Sequence, residues 1–184
     1  ESGILVIENQ ECRLASRFIN FEDLSLPDTL QSAITNRIDS LDPAQQLTLK
    51  VASVSGRIFA FRVLQAIHPI ESDRPALHHY MENLTRLSLT MVEAETPDLA
   101  YIFKHAVTQE VAYNLMLFSQ RRQLHQAVAE WIEESNKDNI ESFYSLLAYH
   151  WAQASETPHS AQNIFTIRKA IEYLEKAGDQ AGQN

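Results

Sequence analysis

Tyr101-Ile-Phe-Lys-His-Ala-Val-Thr-Gln-Glu-Val-Ala-Tyr113 joins two periodicities at a single residue. Tyr101 and Phe103 alternate with period two, as in a strand with one buried face, whereas Val107, Val111 and Leu115 recur every four residues, as along a helix. The stretch reads as a strand that ends at His105, where a helix begins. The backbone N–H groups and dipole of a helix N-terminus favour an anion, so an imidazole at this junction is placed to touch a phosphate.

Working outward, Leu89-Thr-Met-Val-Glu93 and Ala100-Tyr-Ile-Phe-Lys104 read as two strands joined by the polar turn Glu95-Thr-Pro-Asp98. Upstream, Leu26-Pro-Asp-Thr29 starts a helix, with proline at its beginning and Leu30, Ile34 and Ile38 on one face. Asp42-Pro43 starts another, whose period runs through Leu47, Val51 and Val54 to a C-cap at Gly56. Phe59 to Ile67 reads as a third, shorter helix broken near Pro69, and residues 73 to 88 as a fourth with Leu77, Met81, Leu84 and Leu87 inward. Near the start, Gly3 to Glu8 and Glu11 to Ala15 read as a hairpin around Asn9-Gln10. Three helices followed by the 89–104 strand pair is the winged-helix pattern.

Downstream of His105 the pattern is helical throughout. His105 to Phe118 and Arg121 to Glu134 read as two helices, the second carrying Leu124, Val128 and Ile132 on one face. After the polar loop Ser135-Asn-Lys-Asp-Asn139, Ser142 to Ala154 and Ala161 to Ala177 read as an antiparallel pair. Ala148, Ala152, Ala170 and Ala177 allow close helix contact. A tetratricopeptide-like (TPR-like) array begins in this way. The expected fold is mainly α: residues 1–25 a hairpin and linker, 26–118 a winged-helix domain with a short β-hairpin wing, and 119–184 the TPR-like start of a repeat array.

Composition narrows the function classes. With 45% hydrophobic residues the 184-residue chain can bury a real core, and four glycines with six prolines suit long helices. A formal charge of −9 argues against nucleic acid or an anionic membrane as the main partner. The single cysteine, Cys12, excludes an internal disulfide and a thiolate zinc cage, and a reducing, cytoplasmic setting is expected. No segment approaches the apolar length of a membrane span, and no signal peptide is evident. Because the chain opens Glu1-Ser2 without methionine, it reads as cut from a longer protein.

Three blocks carry a family resemblance. They are Leu26-Pro-Asp-Thr-Leu30 with Arg37-Ile-Asp39, Leu41 and Ala52-Ser-Val-Ser-Gly-Arg-Ile-Phe59; Phe103-Lys-His-Ala-Val107 with Glu110-Val-Ala-Tyr113 and Arg122-Gln-Leu-His125; and Leu147-Ala-Tyr-His150 with Ala170-Ile-Glu-Tyr-Leu-Glu-Lys-Ala-Gly178. Together, and in this order, they resemble the region just after the nucleotide-binding domain of STAND signalling ATPases, especially those fused to class III adenylate or guanylate cyclases. The resemblance implies a regulatory module rather than an enzyme. It implies ATP or ADP bound by a preceding ATPase domain of the same chain, and downstream repeats or a protein partner as the other contact. The chain itself contains no Gly-x-x-x-x-Gly-Lys-[Ser/Thr] loop and so no cofactor is expected in it alone. Lys104-His105-Ala106 falls where related proteins carry a Met-His-Asp motif that contacts the ADP β-phosphate; Ala106 stands in place of the aspartate.

The candidate site residues are therefore His105, as ADP-phosphate sensor, and Arg57 beside the Gly56 turn. The plainer alternatives are a histidine that caps the helix or bonds a carbonyl, and a surface arginine. A winged helix can also bind DNA through the helix before its wing. On residues 73–88, however, Arg74, Arg86, His78 and His79 stand against Asp73 and Glu82, a balanced face poorly made for phosphates. His68 with His78-His79, or His125 with His150, raise the question of metal; adjacent histidines on a helix diverge by ~100° and chelate badly. Cys12 has no histidine near in sequence to activate it, and Trp131, Trp151, Tyr144 and Tyr149 read as packing for the helical pair.

Overall fold

A short hairpin opens the fold: β1 (Leu5–Glu8) pairs antiparallel with β2 (Glu11–Leu14), Glu8 opposite Glu11 and Ile7 opposite Cys12. The computed structural model describes Leu5–Glu8, Glu11–Leu14, residues 28–155 and Ala161–Gly182. Helix α1 (Asp28–Asp39) buries Ile34 and Ile38 and leaves Leu30 exposed. Helix α2 (Pro43–Val54) starts where Asp42-Pro43 predicts, with proline in the first turn, where no N–H is required. Its inner half buries Leu49 and the run Val51 to Val54. The buried hydroxyls of Thr48 and Ser53 donate to the carbonyls of Ala44 and Lys50, so neither carries an unmet hydrogen bond into the core.

After α2 the chain turns through Gly56, whose φ of +106° lies in a region that L side chains rarely adopt. It then forms a strand, β3 (Ile58–Ala60), where the helical period predicted a helix from Phe59; helix α3 (Phe61–Ile67) begins only afterwards. The predicted helix over 73–88 is also shorter. A 3-10 turn at Glu71–Ala76 contains Pro75, and α4 (Leu77–Arg86) follows it. Proline lacks the N–H that a continuous α-helix needs at that point. Leu77, Met81 and Leu84 are buried as expected, but Leu87 lies past the helix end and is 46% exposed.

Helix α4 closes with a Schellman motif: Leu89 N–H donates to Leu84 O and Ser88 N–H to Thr85 O, with Ser88 left-handed at φ +57°. Strands β4 (Thr90–Ala94) and β5 (Ala100–Phe103) then form the expected pair, with an irregularity at Val92/Ala94. Their sheet has a third member. β3 lies on the far side of β5, giving the antiparallel order β3-β5-β4 with Ile58, Ile102 and Met91 in register. The inner face carries Phe59, Tyr101 and Phe103, their ring centroids 5.6–6.0 Å apart along Phe59–Tyr101 and Phe59–Phe103.

The remainder is helical: α5 (Ala106–Asn114), α6 (Phe118–Ser135), a 3-10 segment at Lys137–Phe143, α7 (Tyr144–Ser155) and α8 (Ala161–Gly182). The expected helix from His105 to Phe118 is therefore two pieces, with Phe118 opening α6. There Gln120 accepts a hydrogen bond from the Leu117 N–H and so caps the new helix. Helix α6 packs on α2 and α3 and also on α7, which packs on α8. One cluster of buried residues runs from Ile34 to Tyr173 and includes the fully buried Trp151. Tyr149, expected in that packing, is 51% exposed, because it lies on the other side of α7 from Trp151. Among the described residues no helix is long and apolar enough to cross a membrane.

Candidate functional site

His105 is the N-cap of α5, with extended backbone (φ −128°, ψ 135°) and an exposed side chain that makes no capping hydrogen bond. It is neither a core histidine nor a side-chain cap. Its carbonyl accepts the Thr108 N–H at 3.0 Å, which starts the helix. The position follows from β5: Phe103 is the last inward residue of the strand, and the chain leaves the sheet at once.

The sheet brings Arg57 to the same end. β3 runs antiparallel to β5, so the residue before β3 lies beside the residue that ends β5, and the Phe103 N–H donates to Arg57 O at 2.9 Å. On the other flank the Lys104 N–H donates to Leu89 O at 3.1 Å. Arg57, Lys104 and His105 are all exposed, and none of the three side chains has a hydrogen-bonding or ionic partner among the described residues. The left-handed Gly56 and Ser88 turn the chain sharply on either side of this end. Two permanent cations and an imidazole gathered before a helix N-terminus make a local anion-attracting end on a chain of net charge −9. Lys104 is the member that sequence reading left without a role of its own.

The outer surface of α4 is different. Glu82 pairs with His78 at 3.3 Å and reaches His79 at 3.8 Å, and Asn83 engages His79 and Arg86. Arg74 faces inward, where its guanidinium donates to the carbonyls of Ala66 and His68 and closes the end of α3. That leaves a carboxylate in the middle of the face and withdraws one of its arginines.

His68 is buried, its Nδ1 3.2 Å from the Ile70 carbonyl, and burial holds its pKa below the ordinary value. His125 and His150, 25 residues apart, do meet: Nδ1 to Nδ1 is 2.9 Å, and His125 Nε2 is 2.9 Å from the Tyr113 hydroxyl. This is a hydrogen-bonded chain in which one imidazole donates to the other. Burial is the main reason both are hard to protonate, His125 being brought down to about 3 and His150 to about 4. No group of three or more His, Cys, Asp or Glu residues is arranged to hold a metal among the described residues.

A second polar node ties α6, α7 and α8. Glu133 accepts from Trp151 Nε1 at 3.0 Å and from Lys169 Nζ at 3.2 Å, and its carboxylate adds to burial, the larger cause, in raising the pKa of Tyr173. The Glu133 node was not legible in sequence, since it joins residues on three helices with no motif spacing, whereas the pairing of His125 with His150 was raised there as a question of metal and is a hydrogen bond in the fold. The only signal was the polar residue on an otherwise apolar helical face.

Comparisons of the chain with protein-family models, with curated proteins and with solved structures return no match.

Proposed function

We propose that this chain is a regulatory module of a STAND-type signalling ATPase, without catalytic work of its own, which couples the nucleotide state of a preceding ATPase domain to an output such as a nucleotide cyclase. The observation that carries the reading is the sheet end at which Arg57, Lys104 and His105 stand exposed before α5, their side chains without a partner among the described residues. A terminal phosphate of bound ADP, offered by the neighbouring domain, would find there a cationic surface and an imidazole donor. Charge-assisted hydrogen bonds of this kind favour the ADP-bound arrangement, and one or two of them are enough for a coupling of ~1–3 kcal/mol.

Two further features support it. The order α2-β3-α3-α4-β4-β5, with the first strand set against the last, supports the winged-helix reading. Helix α8 buries Thr166, Ala170 and Tyr173 against its neighbours yet exposes Ile164, Ile167, Ile171 and Leu174, spaced three and four apart on its other side. An apolar stripe of that kind suits a following repeat in a TPR-like array, or a protein partner.

The test is to express the chain together with its preceding ATPase domain and to measure co-purified ADP and output activity for the parent and for His105→Ala. Loss of ADP with a rise in output supports the sensor role. Unchanged ADP and unchanged output would falsify it.

A further inference from the structure

Between α2 and α6 lies a cavity of about 480 Å³, a size that suits a small organic ligand. α2 lines it with Leu47 and Lys50, α6 with Gln120, Gln123 and Leu124, and the α5–α6 connection with Met116. The wall is mostly apolar, and among the described residues no aspartate or glutamate belongs to it. Lys50 is half-buried, yet among the described residues nothing pairs with its ammonium, and the Gln123 amide is equally unengaged. A lysine stem laid along apolar surface, with its charge uncompensated at the edge of a low-dielectric space, attracts an anion more strongly than a lysine in water does.

We propose that this cavity is a binding site for an amphipathic carboxylate. The apolar chain of the ligand packs on Leu47, Met116 and Leu124. Its carboxylate takes hydrogen bonds from the Lys50 ammonium and from the Gln123 side-chain N–H. A cationic amphiphile of equal length meets the Lys50 charge as repulsion, and a neutral alcohol gains only the apolar contact. Because α2 belongs to the sheet-bearing part and α6 leads into α7 and α8, an occupant bridges the two and opposes their relative movement. The inference does not depend on the nucleotide reading, whose residues lie at the sheet end.

The chain has three methionines, which makes 13C-methyl methionine NMR a site-resolved probe: Met116 lines the cavity, Met81 is fully buried in the core, and Met91 is exposed on β4. Titration with decanoate below its micelle concentration is expected to shift the Met116 methyl saturably while Met91 stays put. Lys50→Gln should weaken decanoate about tenfold and leave decanol binding unchanged, in keeping with a lost hydrogen bond to a charged group. Ala127→Phe, which fills the cavity from α6, should abolish the Met116 shift by both ligands. Decanoate binding that survives Lys50→Gln at full strength, or shifts that rise together at Met91 and Met116 without saturating, overturns the proposal. The ADP measurement is untouched by either outcome.

Discussion

His125 and His150 face each other nitrogen to nitrogen at 2.9 Å, sealed between α6 and α7, with the Tyr113 hydroxyl on the far side of His125. The arrangement holds only while one of the two facing nitrogens is bare, because protonating both would set two N–H donors against each other and place a charge on a ring buried away from water.

That geometry makes stability depend on pH. In the unfolded chain each imidazole takes a proton near 6.5, whereas in the fold His125 waits until about 3 and His150 until about 4. Between those values the unfolded state binds more protons. Stability is therefore fully present above pH 7 and is lost as pH falls from about 6.5 towards 4, by up to ~1.4 kcal/mol per pH unit for each histidine. His68, also lowered by burial, adds in the same direction. Thermal melts between pH 7.5 and 5 should show this fall, and His125→Asn/His150→Asn should remove most of it. A double variant with the parent's slope would mean that the pair titrates normally.

His105→Ala should change stability by no more than ~0.5 kcal/mol, since the ring is exposed and makes no capping bond. His105→Ser should stabilise by ~0.5–1 kcal/mol, because a hydroxyl can accept from the free N–H groups of α5's first turn. Denaturant titration reads both. A loss above ~2 kcal/mol for the alanine variant would assign His105 to packing instead.

The two left-handed residues predict opposite signs. Gly56→Ala should cost ~1–2 kcal/mol although open space surrounds the site, for the strain lies in the backbone at φ +106°. Ser88→Gly should gain up to ~1 kcal/mol, since φ +57° at a Schellman C′ position is where glycine is preferred. Equal and small effects at both positions would show that neither dihedral is held by the fold.

Glu133 and Trp151 should be energetically coupled. Glu133→Leu leaves the indole N–H of a fully buried Trp151 without an acceptor, at a cost of ~1–3 kcal/mol. In that background a further Trp151→Phe should cost less than it does alone. A double-mutant cycle measures the difference, and strict additivity would deny the bond.

Much of this was legible locally. The alternation at Tyr101 and Phe103 against the four-residue repeat of Val107 and Val111 located the end of β5 and the start of α5, since both periods are properties of neighbouring residues. Asp42-Pro43 and Gly56 marked the ends of α2 for the same reason. β3 was missed because it is three residues long and takes its whole justification from Ile102 and Tyr101, more than forty positions away. Leu87 was placed inward by continuing a helical period past Arg86, where α4 ends and the chain begins to turn into the left-handed Ser88.

The candidate site divides in the same way. His105 could be named from its own surroundings, and Arg57 from its turn, but only the pairing of β3 with β5 sets Arg57 beside Phe103 and gathers Arg57, Lys104 and His105 at one end of the sheet. The His125–His150 contact, the Glu133 node and the place of Lys50 in its cavity depend on which helices pack together. By itself the sequence determined the periods, the turns and the helix boundaries, because these follow from dihedral preference and from which face of a segment is apolar. The tertiary structure decided which polar groups meet, because desolvation and hydrogen bonding act between residues that the chain brings into contact from far apart.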